Sequence, residues 1–236
     1  MDLTKNKSNT PFIGIIMLDT IFPRIKGDIG NPATFNFPVR YRVVNGASPE
    51  RMVIQADKNL IQPFIEAGRS LIKDGACALA TSCGFLALFH RELNQALDVP
   101  VFSSSLLQVH MAQAIIKKDQ KVGIITARKK SLTREHLAAI GIENYPLAII
   151  GMEKAEEFSS VFIEGKPTLD SKKCRQEMRT TSLKLKELNP DIGAIVLECT
   201  NMPPYAKAIH DATGKLPIFD VVTMINYAYS TFKSFF

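Results

Sequence analysis

The order of elements along this chain occurs twice, and that repeat constrains the fold more than any other feature. The run FIGIIMLDT near the start is matched by KVGIITARK in the second half, and DGACALATSCGFLALFHRELNQALDVPVF is matched by DIGAIVLECTNMPPYAKAIHDATGKLPIF. In each copy, short apolar runs alternate with helical patterns, which is typical of parallel sheets with helices on both faces. We therefore predict an α/β fold with two pseudo-symmetric lobes, each a parallel sheet flanked by helices, and a cleft between them.

The apolar periodicity assigns most of the chain to individual strands and helices. Strands are predicted over residues 12–18, 76–81, 99–102, 121–126, 148–151, 193–197 and 216–219. Helices are predicted over residues 50–73, 86–97, 106–117, 132–139, 172–188, 204–213 and 221–233. We expect the first lobe to comprise residues 1–105 and 217–236, and the second lobe to comprise residues 106–216.

Length and charge favour some classes of protein over others. The chain has 236 residues, 46% of them hydrophobic and 22% charged, which is enough for two lobes of about 100 residues each. The apolar run over 12–18 is too short for a membrane span or a signal-peptide core, so we expect a cytoplasmic protein with no membrane partner. The net charge of +6 is spread along the chain, which favours a small anionic substrate over nucleic acid. A homo-oligomer is compatible with the sequence.

Two of the four cysteines occupy equivalent places in the repeat. Cys83 and Cys199 each follow a predicted buried strand, at the sheet edge where open parallel sheets bind their ligands. Cys77 falls inside a predicted strand and Cys174 inside a predicted helix, so we interpret both as structural. The cysteines form no CxxC pair and the histidines show no metal-ligand spacing, so no metal is expected.

A pair of thiols that face one ligand from opposite sides suits a particular chemistry. One sulfur can remove a proton from a carbon while the other delivers a proton to the opposite face, which inverts the stereocentre without a cofactor. Each cysteine also precedes a predicted helix, whose N-terminus lowers a thiol pKa from its usual value of about 8.5 and attracts a carboxylate. Cys83 and Cys199 are therefore the predicted acid/base residues.

The two cysteine motifs resemble those of a known superfamily. LECTNMPPY is similar to the second cysteine motif of the aspartate/glutamate racemase superfamily, and ATSCGF occupies the place of its first motif. The resemblance implies two α/β lobes, a cleft, no metal and no pyridoxal phosphate. It implies a cofactor-independent racemase or epimerase of a small carboxylate, such as aspartate, glutamate or a derivative. The alternatives are a maleate-type cis–trans isomerase, another superfamily lyase, or a non-catalytic protein that binds a small ligand.

The motifs depart from the family pattern next to both cysteines. Many members have Asn-Thr after the first cysteine, where this chain has Gly84 and Phe85, and the second motif often has His where this chain has Asn201. We therefore predict that Ser82 and the backbone around Gly84 replace the missing side chains in binding the substrate. Thr200 and Asn201 are predicted to contact the substrate from the second motif.

Two further binding residues are predicted outside the cysteine motifs. Thr126 ends the strand that opens the second half and resembles part of the superfamily's carboxylate-binding loop. Arg24 lies in the long segment 20–50, which is typical of a lid, and guanidinium binds carboxylate in a bidentate manner. Arg40 and Arg42 are weaker candidates, because a surface hairpin with solvated arginines explains them equally well.

Overall fold

Two parallel sheets of four strands each form the framework of the computed structural model, which describes residues 10–233. The strands are β1 Phe12–Leu18, β2 Val39–Val44, β3 Ala76–Thr81, β4 Val101–Phe102, β5 Lys121–Thr126, β6 Leu147–Gly151, β7 Ile192–Leu197 and β8 Ile218–Phe219. The α-helices are α1 Ile61–Lys73, α2 His90–Ala96, α3 Val109–Ile115, α4 Arg134–Ala139, α5 Glu156–Phe162, α6 Ser171–Leu188, α7 Ala206–Ala212 and α8 Val221–Phe232. Within residues 10–233, no helix is both long enough and apolar enough to cross a membrane.

The two sheets have the same strand order. The first runs β2-β1-β3-β4 and the second β6-β5-β7-β8, with every pairing parallel. Strands β1 and β7 are buried along their whole length, which explains why both read as continuous apolar runs rather than alternating ones. The predicted α/β fold with two similar sheets is therefore confirmed, and β3 and β7, which precede the two cysteines, occupy equivalent positions.

The chain crosses between the sheets twice. Helix α3 contacts β5 and β7, so the first crossing lies between β4 and α3. Strand β8 pairs with β7 in the second sheet. Helix α8 then returns, because Val221, Met224 and Ile225 pack against Ile13 and Ile15 of the first sheet. The lobe boundaries expected after residues 105 and 216 stay a prediction.

The predicted helix over 50–73 is wrong in its first half. A single π-turn covers Glu50–Ile54, and α1 begins only at Ile61. Between them Ala56 adopts a φ of 49°, a left-handed conformation that interrupts the helix. The side chain of Asp57 accepts a hydrogen bond from the backbone of Asn59 and so starts a new turn. Helix α5 was not predicted at all.

The segment 20–50 is only partly a loop. Residues 39–44 form β2, a parallel edge strand on β1, so the hairpin alternative is wrong. Arg40 lies over the ring of Phe12, with 4.3 Å between its guanidinium carbon and the ring centre, and Arg42 pairs with the Asp74 carboxylate at 3.1 Å. Both arginines therefore already have partners at the edge of the sheet.

Candidate active site

A closed cavity lies where the central strands of both sheets end. Leu18 ends β1, and Ser82, Ala127 and Glu198 directly follow β3, β5 and β7; all four line the cavity. The enclosed space measures about 20 Å³, roughly the volume that one water molecule needs. Larger depressions lie elsewhere, including an apolar groove of about 660 Å³ beside β4 and β8, but their linings contain neither Cys83 nor Cys199.

The structure brings Cys83 and Cys199 to this one cavity. Cys83 precedes the 3-10 helix Gly84–Phe89, and its backbone oxygen accepts the Leu86 N–H at 3.1 Å. The thiol of Cys199 donates to Asn201 Oδ1 at 3.4 Å, and the Asn201 backbone N–H lowers its pKa. Cys83 is buried, whereas Cys199 is partly exposed. Their proton-transfer roles remain a prediction.

Burial makes both thiols weaker acids than the sequence suggests. Burial is the largest cause that raises the pKa of Cys83 to about 12; the nearby Glu198 carboxyl acts in the same direction, and two backbone N–H groups act against it. The pKa of Cys199 is raised well above its usual value by burial first and by Glu198 second. The expectation of thiol pKa values lowered by helix N-termini is therefore wrong for the closed cavity, because desolvation outweighs the backbone donors.

Glu198 is the main site residue that the sequence analysis missed. Its side chain is fully buried, and Oε2 accepts hydrogen bonds from Thr126 Oγ1 at 2.7 Å and from the Ala127 backbone at 3.2 Å. Oε1 has no hydrogen-bond partner. Burial raises the pKa of this carboxyl to about 7. The available signal was an acidic residue placed directly after a fully apolar strand.

Gly84 makes room for that carboxyl. A Cβ at this position would overlap both the backbone oxygen and Oε1 of Glu198. Only glycine therefore permits the close approach between the first cysteine motif and the second. This contact gives a physical reason for a glycine after Cys83, where related motifs have a larger residue.

A second buried acid neutralises the arginine of the site. Arg24 lines the cavity, but its guanidinium pairs with Asp28 Oδ1 at 2.8 Å and also donates to Thr20 Oγ1 at 3.1 Å. Asp28 Oδ2 accepts a hydrogen bond from Asn201 Nδ2 at 2.7 Å. Asp28 is 2% exposed and was not predicted. Within the described residues, no group of three or more His, Cys, Asp or Glu side chains is placed to hold a metal ion.

The predicted hydroxyl residues mainly support the lining. Thr200 Oγ1 donates to the Ser82 backbone oxygen at 2.6 Å, and Ser82 Oγ accepts the Leu18 backbone N–H at 2.8 Å. Thr126 holds Glu198, as described above. Ser82 lines the cavity, whereas Thr126 and Thr200 lie behind its surface. The hydroxyl protons of Thr126 and Thr200 are already used in these hydrogen bonds, whereas Ser82 Oγ acts as an acceptor.

Apolar side chains from both halves cover the cavity. Phe22 follows β1 and meets Phe162 of α5 edge to face, with 5.2 Å between ring centres. Val53, Phe85 and Ile163 complete this side of the lining. The cover shields Cys83 from solvent while Cys199 stays partly exposed, and a cavity of about 20 Å³ admits a substrate only if these side chains move.

Comparisons with known proteins agree with this architecture. The family model of Asp/Glu/hydantoin racemases matches residues 38–225. A dimethylsulfoniopropionate lyase of Durusdinium sp. clade D is 30% identical over 91% of this chain and 73% of the relative. Dimethylsulfoniopropionate lyase 3 of Emiliania huxleyi strain CCMP1516 is 31% identical over 92% of this chain, but only 58% of the relative. The Picrophilus torridus aspartate racemase structure superposes with a TM-score of 0.60 at 13% identity, over 95% of this chain and 94% of that one.

Proposed function

Because the chain belongs to the Asp/Glu/hydantoin racemase family, we propose that it uses the family's thiol cavity as a lyase, releasing dimethyl sulfide from dimethylsulfoniopropionate. This substrate carries a carboxylate at one end and a dimethylsulfonium cation at the other. The sulfonium group is a good leaving group, so removal of one proton beside the carboxylate is sufficient for elimination. The observation that carries the proposal is the charge of the cavity.

The polar lining contains little unopposed positive charge. Among the described residues that line the cavity, Arg24 alone is basic, and Asp28 already pairs with it. Glu198 adds a second acidic group. Aspartate or glutamate would bring two carboxylates and one ammonium group, and therefore a net negative charge, into this environment. A sulfonium carboxylate brings one carboxylate and one permanent cation, which matches the acidic lining better.

The apolar cover suits the other end of the same substrate. Two S-methyl groups can pack against Phe22, Phe85 and Phe162, and aromatic rings attract cations through their negative faces. The Arg24 guanidinium, at the same cavity, is the proposed partner of the substrate carboxylate. The relatives named as dimethylsulfoniopropionate lyases align over more than nine-tenths of this chain, which supports the same substrate class.

The proposed reaction needs one base. One thiolate removes a proton from the carbon next to the carboxylate, and a carbon–carbon double bond forms. The C–S bond breaks with its electron pair remaining on sulfur. The products are acrylate, dimethyl sulfide and the protonated thiol, which returns its proton to solvent. A bound cation opposes the effect of the Glu198 carboxyl on the thiol pKa and therefore favours the thiolate when the substrate is present.

A racemase or epimerase acting on an amino acid such as aspartate or glutamate is the second candidate. The observation that favours it is the presence of two thiols on one cavity, because inversion needs a base and an acid on opposite faces. The unequal surroundings of the two sulfurs favour the lyase instead.

Headspace gas chromatography of the purified protein with dimethylsulfoniopropionate tests the proposal. We expect dimethyl sulfide in the headspace and an equal amount of acrylate in the solution, measured by liquid chromatography, with loss of both products when Cys83 and Cys199 are both replaced by alanine. Cys77→Ala is the matched control, because Cys77 does not line the cavity. The absence of dimethyl sulfide with the intact protein would reject the proposed function.

A further inference from the structure

The two oxygens of the Glu198 carboxyl differ in their surroundings. Oε2 is held by Thr126 and by the backbone of Ala127. Oε1 is buried, has no hydrogen-bond partner and belongs to a side chain that lines the thiol cavity. A buried acceptor without a partner is unfavourable, so this arrangement points to a ligand that completes it.

We propose that Glu198 Oε1 is the cation subsite of the cavity and binds the onium group of a zwitterionic carboxylate beside the two thiols. The inference rests on the proposed lyase activity and adds the residue that selects the substrate. A sulfonium or quaternary ammonium group has no N–H or O–H to donate. Its recognition therefore depends on a nearby negative charge and apolar contacts rather than on directional hydrogen bonds.

Three separate elements build this subsite. Thr126 at the end of β5 fixes one carboxyl oxygen, which sets the direction of the other. Gly84 of the first cysteine motif leaves the space that the carboxyl occupies, because a Cβ there would overlap Oε1. Phe22 and Phe162 cover the same cavity. The subsite thus combines a carboxyl oxygen held in one direction with an aromatic cover.

The subsite also links substrate binding to base formation. The ionisable groups at the cavity are Cys83 after β3, Cys199 beside Glu198, and Arg24 in the segment after β1, with Asp28 paired to that arginine. An ionised Glu198 raises the pKa of both thiols. A cation bound at Oε1 opposes that effect, so a ligand without the cation leaves the thiols protonated.

Binding of two unreactive isosteres isolates the cation. β-Alanine betaine carries a trimethylammonio group, and in its carbon isostere an uncharged tert-butyl group replaces it. Isothermal titration calorimetry should show that the intact protein binds the betaine at least about tenfold more tightly. Glu198→Gln should reduce this ratio to about one, with the affinity for the carbon isostere changed by less than about twofold.

The matched control is Asp220→Asn, which removes another buried carboxyl at the N-terminus of α8, outside the cavity lining. This variant should keep the preference for the betaine. Three results would overturn the subsite. They are an unchanged affinity ratio in Glu198→Gln, an equal loss of affinity for both ligands in that variant, and no preference for the betaine in the intact protein. Preference for the betaine without release of dimethyl sulfide would reject the lyase while supporting the subsite. Release of dimethyl sulfide without that preference would reject the subsite alone.

Discussion

The two cysteine motifs share a position in the fold but differ in what surrounds the sulfur. Cys83 follows β3 and is succeeded by Gly84 and a run of apolar residues. Cys199 follows β7, with the buried acid Glu198 directly before it and polar residues after it. The first motif provides space and two backbone donors, whereas the second provides the charge. The symmetry of the backbone therefore does not extend to the chemistry.

The second motif also makes two buried polar contacts that join the halves. Thr200 donates to the backbone of Ser82, and Asn201 donates to Asp28 in the first half. A reaction that treats both faces of a carbon alike has no need of such unequal surroundings. The comparison supports one-sided proton removal, and each prediction below tests that inequality.

The largest expected effect on the reaction follows replacement of the two cavity cysteines. Of the single variants Cys83→Ala and Cys199→Ala, the one that removes the base should lower kcat for dimethyl sulfide release by about a thousandfold, because the group that takes the proton is lost. The other single variant should lose clearly less, because elimination requires one base. Steady-state kinetics of Cys83→Ala, Cys199→Ala and the control Cys77→Ala measure this. Equal losses in the two cavity variants would contradict a one-sided reaction.

The residues directly after the cysteines should also respond unequally. Gly84→Ala places a methyl group against Glu198, and we expect kcat/KM to fall by about a hundredfold as that carboxyl is displaced. The equivalent residue of the second half is Thr200, and Thr200→Ala opens space rather than filling it. Its kcat/KM should fall by less than about tenfold. Similar losses in both variants would show that the close approach at Gly84 has no special role.

Glu198 should lower stability at alkaline pH, unlike its counterpart Ser82. Its folded pKa is raised from 4.5 to about 7, so the folded state binds the extra proton between these values. The contribution of Glu198 to the free energy of unfolding is most favourable below pH 4.5, and it is lost as the pH rises through about 7. The full shift corresponds to about 3 kcal/mol.

Urea unfolding across this pH range tests that stability effect. Glu198→Gln should be more stable than the intact protein at about pH 8 and lose that advantage at about pH 4. Ser82→Ala should show no such pH dependence, because its hydroxyl does not titrate. A constant difference between Glu198→Gln and the intact protein at all pH values would contradict the raised pKa.

The smallest expected effect concerns the contact between the halves. Thr200→Val removes the hydroxyl that donates to Ser82 and leaves a buried carbonyl without this partner, which costs about 1–3 kcal/mol. Thr231→Val, on an exposed face of α8, should change the free energy of unfolding by less than about 0.5 kcal/mol. Equal changes in the free energy of unfolding of Thr200→Val and Thr231→Val, measured by chemical denaturation, would show that the hydrogen bond between the halves contributes little.

Local patterns were sufficient to predict the fold. The continuous apolar runs of β1 and β7 require burial on both faces, and their recurrence predicts two similar parallel sheets. The edge strand β2 was missed because its exposed Arg40 and Arg42 make it look like a loop. Helix α1 begins late because Ala56 and Asp57 form a turn, which the helical periodicity around them conceals.

The sequence predicted those site residues whose position follows from their own motif, and it missed those whose position depends on contacts with distant parts of the chain. Cys83 and Cys199 follow strand ends, so parallel topology places each at the carboxyl edge of its own sheet, and the packing of the two sheets brings both to one cavity. The position of Glu198 depends on Gly84, which lies in the other half of the sequence. The raised thiol pKa values depend on closure of the cavity by residues such as Phe22 and Phe162, and no single motif encodes that closure.

Proton NMR in heavy water tests the central claim most directly, because it detects elimination and inversion in the same sample. The intact protein is mixed with dimethylsulfoniopropionate and with both enantiomers of aspartate and glutamate. We predict that acrylate signals appear while the α-protons of all four amino acids persist. Loss of amino-acid α-proton signals without formation of acrylate would contradict the account and establish two-sided proton transfer.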